Sequence, residues 1–201
     1  MSKKETQARL DKRSRRRAEN RRQSLIWNAI ILGILAAFLA LVIWYISVNL
    51  RPGPLPGEID LSAKDDGQAH LSEGVALPAF RTEPPVSGTH YDRAAPWGFS
   101  ATPVPPGIYL HNLGIGGVVF LYKCATPCPD LEQKLLDLYE KTPVDSLTGQ
   151  RRILITTYEK DLPAPIVALA WDHQLNLAQF DEATLLRWYK RFLNRGPEPA
   201  R

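Results

Sequence analysis

Apolar side chains are spaced in three distinct ways along this chain. Leu25–Val48 (LIWNAIILGILAAFLALVIWYISV) carries no charge, and Asn28 is its only strongly polar member. As a helix it spans about 36 Å, enough to cross a hydrocarbon core of about 30 Å. Val118–Tyr122 is a short apolar run of β-branched and aromatic residues, which suits a strand buried on both faces. Behind it Pro129 suits the first turn of a helix, and Leu131, Leu135, Leu138 and Tyr139 recur along one face of that helix. Arg152–Tyr158 and Ile166–Trp171 read as further strands. Asp172–His173 reads as a turn and Leu175–Leu177 as a short return strand. A last helix starts at an Asp181 N-cap, carries Thr184, Leu185, Trp188 and Phe192 on one face, and ends by Pro197. Ile108–Leu113, which includes His111, leads into the central strand.

Strand, helix and strand in that order form a parallel pair with a right-handed crossover. The full order, β-α-β and then β-β-α with Leu162–Pro165 breaking the chain before the third strand, resembles the thioredoxin-like arrangement. An α/β domain of that type is expected, with Ala164–Pro165 as a cis bond facing Cys124. Glu58–Pro106 is rich in proline, glycine and polar residues and reads as an irregular segment wrapping the core with defined turns. Arg51–Gly57 (RPGPLPG) reads as a stiff spacer. The chain thus divides into a basic tail (1–24), a transmembrane helix (25–48), a Pro/Gly linker (49–57) and an external domain (58–201).

Charge sharpens this division. Residues 1–22 hold ten Lys/Arg against three acids, and the remainder holds fifteen against eighteen, so the net charge of +4 comes from the tail. It argues for anionic lipid headgroups as the tail's partner, and not for nucleic acid. The arginine-dense flank leaves the N-terminus cytoplasmic by the positive-inside rule, with the domain outside the plasma membrane. A cleaved signal peptide fits less well. Its apolar core is usually about 7–15 residues, and no A-x-A pattern follows here.

The two cysteines, Cys124 and Cys128 (CATPC), fall at the junction of strand and helix. The helix N-terminus favours a thiolate there, the form that reacts and binds metal. Three readings stay open: a redox-active pair acting on a thiol substrate, metal ligation, or a plain disulfide in a binding module whose wrapping segment recognises a protein partner. All four histidines (His70, His90, His111, His173) lie in the external domain, and imidazole suits copper or zinc. A Cys₂His site with His111, His90 or His70 is one arrangement available to such an ion. There is no P-loop, G-x-G-x-x-G after a strand, H-E-x-x-H or G-x-S-x-G.

Two resemblances add to this. YKCATPCPDLEQKL resembles the cysteine site of the Sco-type copper-assembly proteins, thioredoxin-fold proteins on one membrane helix. The resemblance implies copper held by Cys124, Cys128 and a distant histidine, with His173 in roughly the right region. More of the chain, from about Pro56 to Glu198, resembles the family called domain of unknown function 3105. The likeness rests on EPPVSGTHY, LHNLGIGGVVFLY, the cysteine pair and the closing WDHQLNLAQFDEATLLRWYKRFLNRGPE. That family pairs PPxSGxHY with an HxLEHG segment. His111, Leu113 and Gly116 fit the segment, but Gly114 and Ile115 stand where Glu and His are expected. His70 falls where the family often carries a histidine.

Overall fold

The computed structural model describes residues 3–49, 52–124 and 126–199. Leu50 and Arg51 of the linker and Ala125 of CATPC lie outside the described residues. So do the side chains of residues 1–20, 22 and 24 in the basic tail, from which headgroup contacts are expected. The chain forms two separate units, Met1–Arg51 and Pro52–Arg201. The first is one helix, α1 (Lys3–Asn49). Its segment Leu25–Ile46 is long and apolar enough to cross a membrane.

The second unit runs β1 (Glu58–Asp60), β2 (His70–Leu71), β3 (His90–Tyr91), β4 (Gly98–Ser100), α2 (Pro106–Gly114), β5 (Val118–Tyr122), α3 (Pro129–Lys141), β6 (Ile153–Thr157), β7 (Ile166–Ala170), β8 (His173–Leu177) and α4 (Glu182–Phe192). Six strands form one mixed sheet in the order β1-β8-β7-β5-β6-β4, and β2 and β3 form a separate parallel pair. β5 sits inside the sheet, parallel to β6 and antiparallel to β7. Because side chains alternate across a strand, β5 feeds two cores at once. Val118, Phe120 and Tyr122 join Leu135 and Leu138 of α3 and Leu185, Trp188 and Phe192 of α4. Val119 and Leu121 join Tyr109, Leu110 and Leu113 of α2 and Val86 of the wrapping segment. Leu135 and Leu138 are wholly buried, which stabilises the fold by about 1.5–3 kcal/mol each.

The fold departs from the sequence reading at several points, and β1 and β4 of the segment read as irregular form the edges of the main sheet. Residues 108–113 are helical, inside α2, with Pro106 in the first turn. Every α2 residue from Gly107 to Gly114 is buried, so no polar face marks the helical period. His173 opens β8 instead of ending the turn; the hairpin loop is Trp171–Asp172, with Asp172 at φ 60°, a region that Asp tolerates. The Ala164–Pro165 bond is trans, the one cis bond among the described residues being Glu83–Pro84.

Past α4 the chain turns back as a strap over the end of α2. Asn194 takes φ 59°, and its N–H donates to the Gly116 carbonyl at 2.8 Å. The Glu198 N–H donates to the Gly114 carbonyl at 2.9 Å. Only glycines permit this approach, since a Cβ on Gly116 would lie 2.8 Å from Asn194 Cα. The fully buried Arg152, just before β6, donates to Asn194 Oδ1 at 2.6 Å and to the Ile115 carbonyl, fixing the turn from beneath.

The wrapping segment is pinned by one side chain. Asn112 of α2 accepts from the Ala95 N–H at 2.8 Å and donates to the Ala95 carbonyl at 2.9 Å, and both residues are buried. Asn112→Ala leaves both backbone groups unpaired and is expected to cost about 2–4 kcal/mol. Urea unfolding at unchanged slope measures it, and a change below about 0.5 kcal/mol would mean the pin is not structural.

Candidate metal centre

Four groups from four separate segments converge beside α2. The parallel register of β2 and β3 sets His70 opposite His90, with ring centroids 4.5 Å apart. α2 lies against β3 and presents His111, whose ring is 5.3 Å from that of His70 and 5.4 Å from that of His90. The strap brings in Glu198. Gly114, whose carbonyl holds Glu198, lies three residues after His111, so the two share a helix face. One ligand atom from each of His70, His90, His111 and Glu198 lies within 4.8 Å of all the others.

Hydrogen bonds fix how two of these rings face the centre. A carbonyl can only accept, so His90 Nδ1, 2.8 Å from the Gly88 carbonyl, carries the proton in the neutral ring. His111 Nδ1 stands likewise 3.1 Å from the Tyr91 carbonyl. The Nε2 lone pairs of both rings are thereby left for another partner, the orientation that metal-ligating histidines take from their outer contacts.

The electrostatics follow from burial. The His90 side chain is 0% exposed, Glu198 14% and His70 37%. Burial pushes the His90 imidazole down from its ordinary value, against the upward pull of the Gly88 carbonyl, and neighbouring His70 lowers it further. Glu198 Oε1 stands 3.3 Å from Nε2 of His70 and 3.3 Å from Nε2 of His90. Neither His90 Nε2 nor Glu198 Oε1 has a hydrogen-bond partner among the described residues. Two buried lone-pair atoms so close repel unless a proton or a cation lies between them. A tetrahedral ion with bonds of about 2.0–2.1 Å separates its ligands by about 3.3–3.4 Å, which these two distances match.

The sequence brings His70, His90 and His111 into candidacy, and the structure gathers all three. It does not gather the cysteines or His173 with them. His173 packs against Phe192 in a tilted arrangement, centroids 4.6 Å apart, and faces Glu58 at 3.7 Å. Cys124 and Cys128 are bonded to each other, so neither offers a thiolate, and neither belongs to the cluster. Among the described residues, the groups that gather as possible ligands are three histidines and a carboxylate, not two cysteines and a histidine. Glu198 has no motif of its own. The signal that pointed to it is Gly114, where the family pattern expects a carboxylate. A Cβ at Gly114 would lie 2.6 Å from Glu198 Oε1, so Glu198 occupies the space that a side chain there would fill.

The disulfide lies at the other end of β5. Both cysteines are half-buried and line an open cleft of about 350 Å³ with Tyr122, Thr126, Glu132 and Tyr158. Cys128 is the N-cap residue of α3. Tyr122 donates to Glu132 at 3.2 Å; burial, and after it the Glu132 carboxylate, push its hydroxyl up to about 12. Pro165 is nearby, its carbonyl accepting from the Lys123 N–H at 3.1 Å.

The lowered His90 value has a consequence for stability. Keeping His90 neutral contributes in full above the ordinary imidazole value of about 6.5, and that contribution is lost as pH falls below it. The metal-free protein should therefore lose stability on the acid side, and His90→Gln should flatten that limb in a thermal-melt series. An acid limb identical in both proteins would remove His90 as its source.

Among known families, the model described as "Protein of unknown function (DUF3105)" matches residues 76–201. The match takes in His90, His111, both cysteines and Glu198, and begins after His70. No curated protein matches the chain, and no solved structure does.

Proposed function

The chain belongs to the DUF3105 family, and we propose that its domain from residue 58 onward binds one zinc or copper ion through His70, His90, His111 and Glu198. The observation that carries this reading is the convergence of three imidazoles and a carboxylate, with two buried lone-pair atoms facing each other unpartnered. A donor set of nitrogen and oxygen suits zinc or copper(II), with the hydrogen bonds of His90 and His111 to carbonyls acting as the outer shell. Much of the wrapping segment, which in another reading would recognise a protein partner, serves here to deliver His70 and His90. In this proposal α1 crosses the plasma membrane, its basic end lies in the cytoplasm against anionic lipid, and the domain handles metal on the outer side.

A second reading, thiol exchange at Cys124–Cys128, is favoured by the half-exposed bridge at the mouth of an open cleft. The central strand order β8-β7-β5-β6 supports a thioredoxin-like core for it. The β6–β7 connection lacks a helix, and the trans Ala164–Pro165 bond weighs against it. The metal reading stands first.

Full-length protein in detergent should carry one zinc or copper ion per chain by elemental analysis after reconstitution. His90→Ala and His111→Ala should lose the ion, and Cys124→Ser should keep it. Metal at about a hundred times its dissociation constant should stabilise the wild type by about 2.7 kcal/mol. No bound ion in the reconstituted wild type would sink the reading.

For the second reading, alkylation should label neither cysteine without reductant and both with it. The bridge spans a sequence separation of 4, so replacing both cysteines by serine should cost about 2 kcal/mol or less. A pair still bridged at about −300 mV would leave thiol exchange no role.

A further inference from the structure

The four donors are not held alike. His70 and His90 come from a hydrogen-bonded parallel pair, and His111 from a helix buried along nearly its whole length. Glu198 comes from the strap 194–199, in which no residue is buried and Arg195, Pro197 and Pro199 are exposed. Two backbone hydrogen bonds attach the strap to Gly114 and Gly116, and at its root Arg152 and Asp145 hold the Asn194 side chain. A segment with no buried apolar side chain opens at little free-energy cost compared with the core. Its side chain is 14% exposed where that of His90 is wholly enclosed, and it lies beside His70, the most exposed member of the cluster.

We propose that the centre is a three-histidine site with a gated fourth position. Glu198 fills that position while the strap lies on Gly114. When the strap lifts, a small anionic donor from solvent takes it. This rests on the metal reading above and deepens it, because it separates a sealed structural site from one that accepts an exogenous ligand. The gate is set by Gly114: an alanine there would put its Cβ 2.6 Å from Glu198 Oε1, dislodging the carboxylate while leaving all four donors in the chain.

The test uses cobalt(II) as the metal probe and azide as the anion, followed by visible absorption of the full-length protein. Glu198→Ala and Gly114→Ala should both still bind cobalt, about 10–100-fold more weakly than wild type. His90→Ala should not bind it. Azide should bind both strap variants at least about tenfold more tightly than wild type, in which the open state is only a fraction of the population. Because Gly114→Ala alters no donor, agreement between the two variants ties the effect to the strap.

If Glu198→Ala loses cobalt as completely as His90→Ala, Glu198 is a permanent ligand and the gate is wrong. If the variants keep cobalt but azide binds them no better than wild type, the gate is equally wrong. Failure of wild type itself to bind cobalt would overturn the metal reading as well.

Discussion

A buried imidazole nitrogen and a buried carboxylate oxygen, each offering a lone pair across 3.3 Å, are the constraint around which this domain is arranged. Water does not screen the pair, because the His90 side chain is wholly enclosed. The rings cannot turn away either, because carbonyls of Gly88 and Tyr91 hold the opposite nitrogens of His90 and His111. Holding groups in this way is costly without positive charge between them. The neighbouring architecture, a two-stranded pair beside a helix and a strap fastened by glycines, holds these groups together, as the proposed cation site requires.

The sheet separates this chemistry from that of the cysteines. β5 is preceded by α2, which carries His111, and followed by the bridge at Cys124–Cys128. Its odd and even residues pack into different cores. The two candidate sites thus share a strand without sharing a residue. The copper arrangement implied by the Sco-type resemblance, with both cysteines as ligands, does not describe this chain while the bridge is closed.

Much of the scaffold was legible because its signals are local. The apolar run 118–122, the face Leu131–Tyr139 and the Asp181 cap all appear as read; the Asp181 carboxylate accepts from the Thr184 N–H at 3.1 Å. What escaped was non-local. α2 hides its period because it is buried on every side. Glu198 joins the histidines only because Asn194 reverses the chain and Arg152, 42 residues upstream, anchors the reversal. The histidines were visible as residue types, but their union depends on a strand pair of two residues each, too short for any periodicity to announce.

The donors at 70, 90, 111 and 198 enclose nearly the whole domain between the first and the last. An ion bound there would act as a clasp on the polypeptide, joining an early loop to the far terminus through a central helix. Copies without their ion would present two loosened segments to any protease in the same compartment, whereas loaded copies would present neither.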